Sequence, residues 1–157
     1  MSVIVTDRGF TTDDFTAGFV GLGEKAANDC GYGIDLPSDT SPDVLADLTK
    51  AAMIRIEFPS SADGRGFTLA AMLRRAEFTG RLRAKGHVLA DQYAMARRSG
   101  FDEVEIDDAL AARQPEDQWQ FRADWQNHHY QARLRGYAPF PDPDQRLHRR
   151  AALSGLP

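Results

Sequence analysis

Two short stretches set paired opposite charges at the ends of strand-like runs: Ala62-Asp63-Gly64-Arg65-Gly66, after Ile54 to Phe58, and Leu89-Ala90-Asp91-Gln92, after Arg81 to Ala84. In the first, Phe58 to Arg75, a strand gives way to a glycine-bearing turn and then to an amphipathic helix. Glycine permits positive φ and a close backbone approach, and the free N–H groups of a first helical turn favour negative charge. Arg65 adds a planar fork that matches the oxygens of sulfite, sulfate, phosphate or a carboxylate, and Thr68 adds a hydroxyl. The chemistry expected of Asp63, Gly64, Arg65, Gly66 and Thr68 is therefore binding of a small oxyanion or a phosphorylated metabolite. The same residues fit a structural role equally well, since an Asp–Arg pair can staple a tight turn. Neither nucleotide fingerprint applies: the lysine-bearing phosphate loop is absent, and after Gly64 and Gly66 the third glycine position of the dinucleotide motif holds Leu69.

The second stretch places His87, Asp91 and Gln92 around the start of a helix, where Asp91 can act as a cap favoured by the helix dipole. If Arg81 to Ala84 neighbours Ile54 to Phe58 in a parallel sheet, then Arg83, Asp91 and Gln92 should share one rim with Asp63 and Arg65, because such loops collect at the carboxyl ends of the strands. Asp107 and Asp108 sit beyond the last strand and could join that rim as metal or cation ligands; a solvated helix start explains them as well. No metal site is assigned. His128 and His129 are adjacent rather than four apart, and Cys30 is the only cysteine, so neither a two-histidine helix face nor a thiolate cluster is available. Trp119, Phe121 and Trp125 recur at helical spacing and suit a core or a dimer interface.

The elements that must carry these residues are legible as a period-2 and period-3.6 alternation. Val3 to Val5 predicts an edge strand, and Thr12-Asp13-Asp14 the polar start of a segment holding Phe15, Phe19 and Val20. Gly33 to Leu36 predicts a strand, and Ser41-Pro42 an N-cap with proline at the first helical position, before Val44, Leu45 and Leu48. Strand Ile54–Phe58 precedes a helix with Leu69, Met72, Leu73 and Ala76 on one stripe; strand Arg81–Ala84 precedes a helix with Leu89, Tyr93 and Ala96; Phe101 to Ile106 alternates again. The result is an α/β fold with a short parallel sheet built from βαβαβ units, Rossmann-like or a partial barrel. Gln114-Pro115 should open a long C-terminal helix carrying Phe121, Trp125, His128, His129 and Ala132. A single domain is expected over residues 1–136, followed by a proline-rich arm over 137–157 with Pro139, Pro141 and Pro143.

At 157 residues with 42% apolar side chains the chain suits one core. No long apolar run or leader pattern is present, so a cytoplasmic protein without membrane attachment is expected. The net charge of −4 argues against nucleic-acid binding, yet residues 51–100 carry nine basic against four acidic side chains. Of these basic residues, Arg74, Arg75, Arg97 and Arg98 suit solvated helix faces.

The run from Phe58-Pro59 through Asp63 to Thr68, Leu82 to Ala84 with Gly86, Val88-Leu89, Asp91-Gln92, Arg98 and Gly100 to Asp102 resembles the bacterial domain-of-unknown-function family 934. Gly33 to Thr40 and Tyr130-Gln131 extend the likeness over residues 30–132. The chain departs from the family pattern at Arg81 and His87, where polar or acidic residues are common. Family members are described as oxidoreductases or auxiliary proteins of assimilatory sulfite reduction, so the resemblance implies a role in sulfur metabolism. Electron transfer to sulfite requires a redox cofactor, and this sequence has no motif for one, so no cofactor is expected and an auxiliary role is preferred over a self-contained enzyme. The alternative is a non-catalytic partner docking on sulfite reductase or its electron donor through Trp119 to Tyr130 and the arm; an incomplete barrel-type enzyme acting on a phosphorylated small molecule and completed as a homodimer is a further one.

Overall fold

The computed structural model describes residues 2–22 and 31–126. Seven strands form one sheet in the spatial order β2-β1-β7-β6-β5-β4-β3. They are β1 (Ser2–Thr6), β2 (Gly9–Thr11), β3 (Phe19–Gly21), β4 (Gly33–Leu36), β5 (Met53–Phe58), β6 (Arg81–Gly86) and β7 (Glu103–Asp107). Strands β3 to β7 are parallel, each beside its neighbour in sequence, and β1 runs antiparallel to both β7 and β2. Because the parallel strands follow one another without a reversal of order, successive right-handed crossovers place their helices on the same face. The expected α/β fold with a parallel sheet of βαβ units is thus present, consistent with a Rossmann-like arrangement.

Helix α1 (Arg65–Arg75) links β5 to β6, α2 (Tyr93–Ser99) links β6 to β7, and α3 (Asp108–Arg113) and α4 (Glu116–Gln120) follow β7. Strand alternation sends Ile34, Leu36, Ile54, Ile56, Leu82, Ala84, Val104 and Ile106 toward those helices. There they join Leu45, Leu48, Leu69, Leu73, Tyr93, Ala96 and Trp119 in one core. Burying each of the larger side chains is worth about 1.5–3 kcal/mol. The segment after Ser41 is capped as expected, its Oγ accepting the Asp43 N–H, but it winds as a 3-10 helix over Pro42–Leu48.

The other face of the sheet is built from charge. Asp35, Arg55, Arg81, Arg83, Glu103 and Glu105 alternate with the core residues and pair among themselves. Arg83 is fully buried: Nε donates to Glu103 at 2.7 Å, Nη1 to Glu105 at 3.0 Å, and Nη2 to Asp13 at 2.8 Å. Arg55 links Asp35 at 2.6 Å and Glu105 at 3.0 Å, and lies 3.7 Å over the Phe19 ring. Arg81 joins Glu103 to Asp14, both at 2.8 Å. Burial opposes the charge on Arg83, yet hydrogen bonds and Coulomb attraction from Asp13, Glu103 and Glu105 outweigh it and raise the guanidinium pKa. Removing water from such groups costs several kcal/mol per ion, so the layer holds only because nearly every fork and carboxylate is matched.

Several expectations change. The segment from Thr12, expected only to be a polar start, crosses the charged face without regular structure, delivers Asp13 and Asp14 to Arg83 and Arg81, and ends in β3. The Val3–Val5 strand is inside the sheet rather than at its edge, because β2 covers it. The C-terminal helix is broken. Asp107 caps α3 by accepting the Leu110 N–H at 2.7 Å, and Gln114, held extended before Pro115, ends it. After α4 the chain turns through residues 121–126. His128, His129, Ala132, Cys30 and the proline-rich arm lie outside the described residues. Arg74 and Arg97 are buried rather than solvated. Each sits in the last turn of its helix and donates to carbonyls beyond it, Arg74 to Gly100, Phe78 and Gly80, and Arg97 to Phe101, while Arg74 also pairs with Asp102 at 3.0 Å and Arg97 with Asp7 at 3.1 Å.

Candidate functional site

The carboxyl ends of β4, β5 and β6 deliver three adjoining loops to one rim. Proline ends the first two strands: Pro37 follows β4 and Pro59 follows β5. Ser38, Asp63 and Arg65 then meet in one cluster. Arg65 donates from Nε to Asp63 Oδ1 at 3.0 Å and from Nη2 to Asp63 Oδ2 at 2.8 Å. Ser38 Oγ donates to Asp63 Oδ2 at 2.9 Å and accepts from Arg65 Nη2 at 3.3 Å. Asp63 Oδ1 also accepts the backbone N–H of Arg65 at 3.1 Å, a local turn that leads into α1. Hydrogen bonds from the Arg65 side chain first, then from its backbone and from Ser38, hold the Asp63 carboxyl far below the usual carboxylate range. Arg65 is raised in return, chiefly by Asp63 and further by Asp39.

The pair does not close the site. The Arg65 side chain is 61% exposed, and its Nη1 makes no hydrogen bond among the described residues. Beside it lies a hollow of about 280 Å³ walled by Ser38, Asp39, Thr40, Pro42, Thr68, Leu69 and Met72. One edge of the guanidinium is thus fixed by Asp63 while the other is available, and Arg65 shares the hollow with Thr68 and an apolar wall.

The glycines of this turn work differently from the sequence expectation. Gly64 has φ −88°, and a Cβ there would meet nothing; no feature of the fold requires glycine at that position. Gly66 is required by close approach, since a Cβ would stand 2.5 Å from the Phe58 ring. Its absence of a side chain seats α1 directly on the end of β5.

Gln92 reaches the same rim. Its Nε2 donates to the Ser61 carbonyl at 2.8 Å while its Oε1 accepts the Leu89 N–H at 3.0 Å. Asp91 points outward, 85% exposed, and pairs with Arg122 at 3.1 Å. Arg83 is not on the rim. It lies within β6, side chain on the charged face, because position 83 alternates with the core residues Leu82 and Ala84. The expected set therefore divides: Asp63, Gly64, Arg65, Gly66, Thr68 and Gln92 share the rim, Asp91 flanks it, and Arg83 belongs to the sheet. Ser38, missed in the sequence, carries the same signal as the other loops, a polar pair directly after a strand.

Trp119 and Trp125 are buried within the chain, their indole N–H groups donating to the Gln114 carbonyl at 2.9 Å and to Asp7 at 3.3 Å. Phe121 alone of the three aromatics is exposed, at 76%. Among the described residues no helix is long and apolar enough to cross a membrane.

No curated protein and no solved structure matches the chain. The family model described as "Bacterial protein of unknown function (DUF934)" matches residues 33–140, beginning at β4 and taking in every loop of the rim. With more than half of its length matched, the chain belongs to this bacterial family of unknown function.

Proposed function

We propose that the protein is an auxiliary factor of sulfur assimilation that binds a small oxyanion, or a metabolite bearing one, in the hollow between the Ser38 loop and α1. The observation that carries this reading is the posture of Arg65: held on one edge by Asp63 and Ser38, largely exposed, with Nη1 free of hydrogen bonds among the described residues, in a hollow that Thr68 also lines. A guanidinium fixed in this way loses little rotamer freedom on meeting an anion, which favours binding. Asp63 and nearby Asp39 oppose it, so a bare inorganic ion should bind only near the millimolar level, ~4 kcal/mol. The apolar wall of Pro42, Leu69 and Met72 favours an oxyanion carried on a small organic body. The link to sulfite reduction rests on what the family resemblance implies.

Isothermal titration of the wild type and Arg65→Gln with sulfite, sulfate and phosphate tests the proposal. A saturable heat that weakens about tenfold in the variant, the worth of one charge-assisted hydrogen bond, supports it. Absence of any saturable heat in the wild type, or equal affinity in both proteins, overturns it.

A further inference from the structure

A second hollow, of about 190 Å³, opens at the carboxyl ends of β6 and β7, lined by Ser2, Lys85, Gly86, His87, Glu105, Ile106, Asp107, Leu110 and Arg113. We propose that it is a binding site for a small divalent tetrahedral anion of the phosphate-monoester class, held by Lys85, His87 and Arg113.

The argument starts from the row of basic residues that strand alternation places on the charged face of β6: Arg81, Arg83 and Lys85. The first two are matched by Asp13, Asp14, Glu103 and Glu105. Lys85 ends the row without a carboxylate within ion-pair distance among the described residues, although Glu57 and Glu105 are its register neighbours on either side. Gly86 then turns the chain at φ +114°, and the His87 N–H donates to the Phe58 carbonyl at 3.0 Å, which fixes His87 at the mouth of the hollow. Arg113 arrives from the last turn of α3. Lys85, His87 and Arg113 are all exposed, and none has a side-chain partner among the described residues.

The carboxylates of the hollow are already engaged. Glu105 accepts from Arg55 and Arg83, each at 3.0 Å, and Asp107 accepts the Leu110 N–H at 2.7 Å. Glu57, exposed on β5, is the remaining acid near Lys85 and does not line the hollow. Three basic groups without a carboxylate partner among the described residues thus surround a cavity where Glu105 is ion-paired and Asp107, engaged only as a helix cap, is the one acid left to oppose them, the reverse of the balance at Arg65. An ammonium supplies a compact charge and a guanidinium a two-pronged donor, with imidazole as a further donor, a set suited to tetrahedral oxygens. Ile106 and Leu110 give an apolar floor, and the volume is below that of ordinary drug-sized pockets, about 300 Å³ and upward, so only a small ligand fits.

Inorganic phosphate is the probe. Calorimetric titration would compare the wild type with Lys85→Gln, Arg113→Gln and the charge control Arg75→Gln, while backbone amide shifts report the place of binding. The expected result is saturable binding that weakens about tenfold in each of the first two variants and stays within about twofold in the control, with shifts at Gly86, His87 and Val88. Overturning results are no saturable phosphate binding, equal loss in all three variants, or shifts confined to Gly66, Phe67 and Thr68. The last would place phosphate in the Arg65 hollow instead, so the two sites are separately testable.

Discussion

Gln92 and the Ser61 carbonyl are 2.8 Å apart, a single hydrogen bond that ties the loop after β6 to the loop after β5. Gln92 also satisfies the Leu89 N–H at the start of the following turn, so one side chain fixes both a helix start and the spacing of the rim. Gln92→Ala should therefore lower stability by about 1–2 kcal/mol, read from urea unfolding, and should weaken anion binding at Arg65 without touching any group that lines the hollow. Unchanged binding would show that the Asp63 loop holds itself.

The charged sheet face makes a sharper demand on energetics. Arg83→Met fills much of the same space but leaves Glu103 and Glu105 short of a buried partner, and should cost about 3–5 kcal/mol. Adding Glu105→Gln removes one of the stranded charges, so the double variant should lose less than the sum of the single losses, by about 0.5–3 kcal/mol. Strict additivity in denaturant unfolding would mean that the two side chains do not interact.

The same layer gives the protein a sign-defined response to acid. Hydrogen bonding from Arg83 lowers the Asp13 pKa below its ordinary 3.8, against the opposing effect of burial. A depressed folded-state pKa adds stability that is fully present above the unfolded value and is lost as pH falls through the folded one. Wild type and Asp13→Asn should then differ in urea midpoint at neutral pH and converge below the ordinary carboxylate value. A gap that persists unchanged at pH ~2 would contradict this origin.

Gly86 combines φ +114° with a backbone oxygen, that of Phe58, only 2.5 Å from where a Cβ would sit. Gly86→Ala should cost about 1–3 kcal/mol and disturb the His87 bond to Phe58. Gly64→Ala, at φ −88° with open space around it, should be neutral or slightly stabilising, both variants being compared with the wild type by thermal unfolding.

How far the chain could be read without coordinates follows from what each residue's signal depends on. The run Met53–Phe58 announces its strand because alternation is local, and Leu69 with Leu73 announces α1 for the same reason. The role of residues 12–21 was not legible, because Asp13 and Asp14 read only as a polar start while their partners, Arg83 and Arg81, are 70 and 67 positions away in sequence. Arg74 and Arg97 looked solvated because their partners are either backbone carbonyls, which leave no mark in the sequence, or carboxylates distant along the chain, Asp102 for Arg74 and Asp7 for Arg97. Arg83 shows the limit for the site itself: its strand was legible, but which face and which depth it occupies depended on the register with β7.

The central claim, that Arg65 presents a free edge to an oxyanion, is tested most directly by anomalous diffraction from crystals soaked in selenate. The account predicts a selenium peak in the hollow, with oxygens within about 2.7–3.2 Å of Arg65 Nη1 and the Thr68 hydroxyl. A map with Arg65 and Asp63 paired as described and no selenium beside them, whether or not the Lys85 hollow is filled, would contradict it.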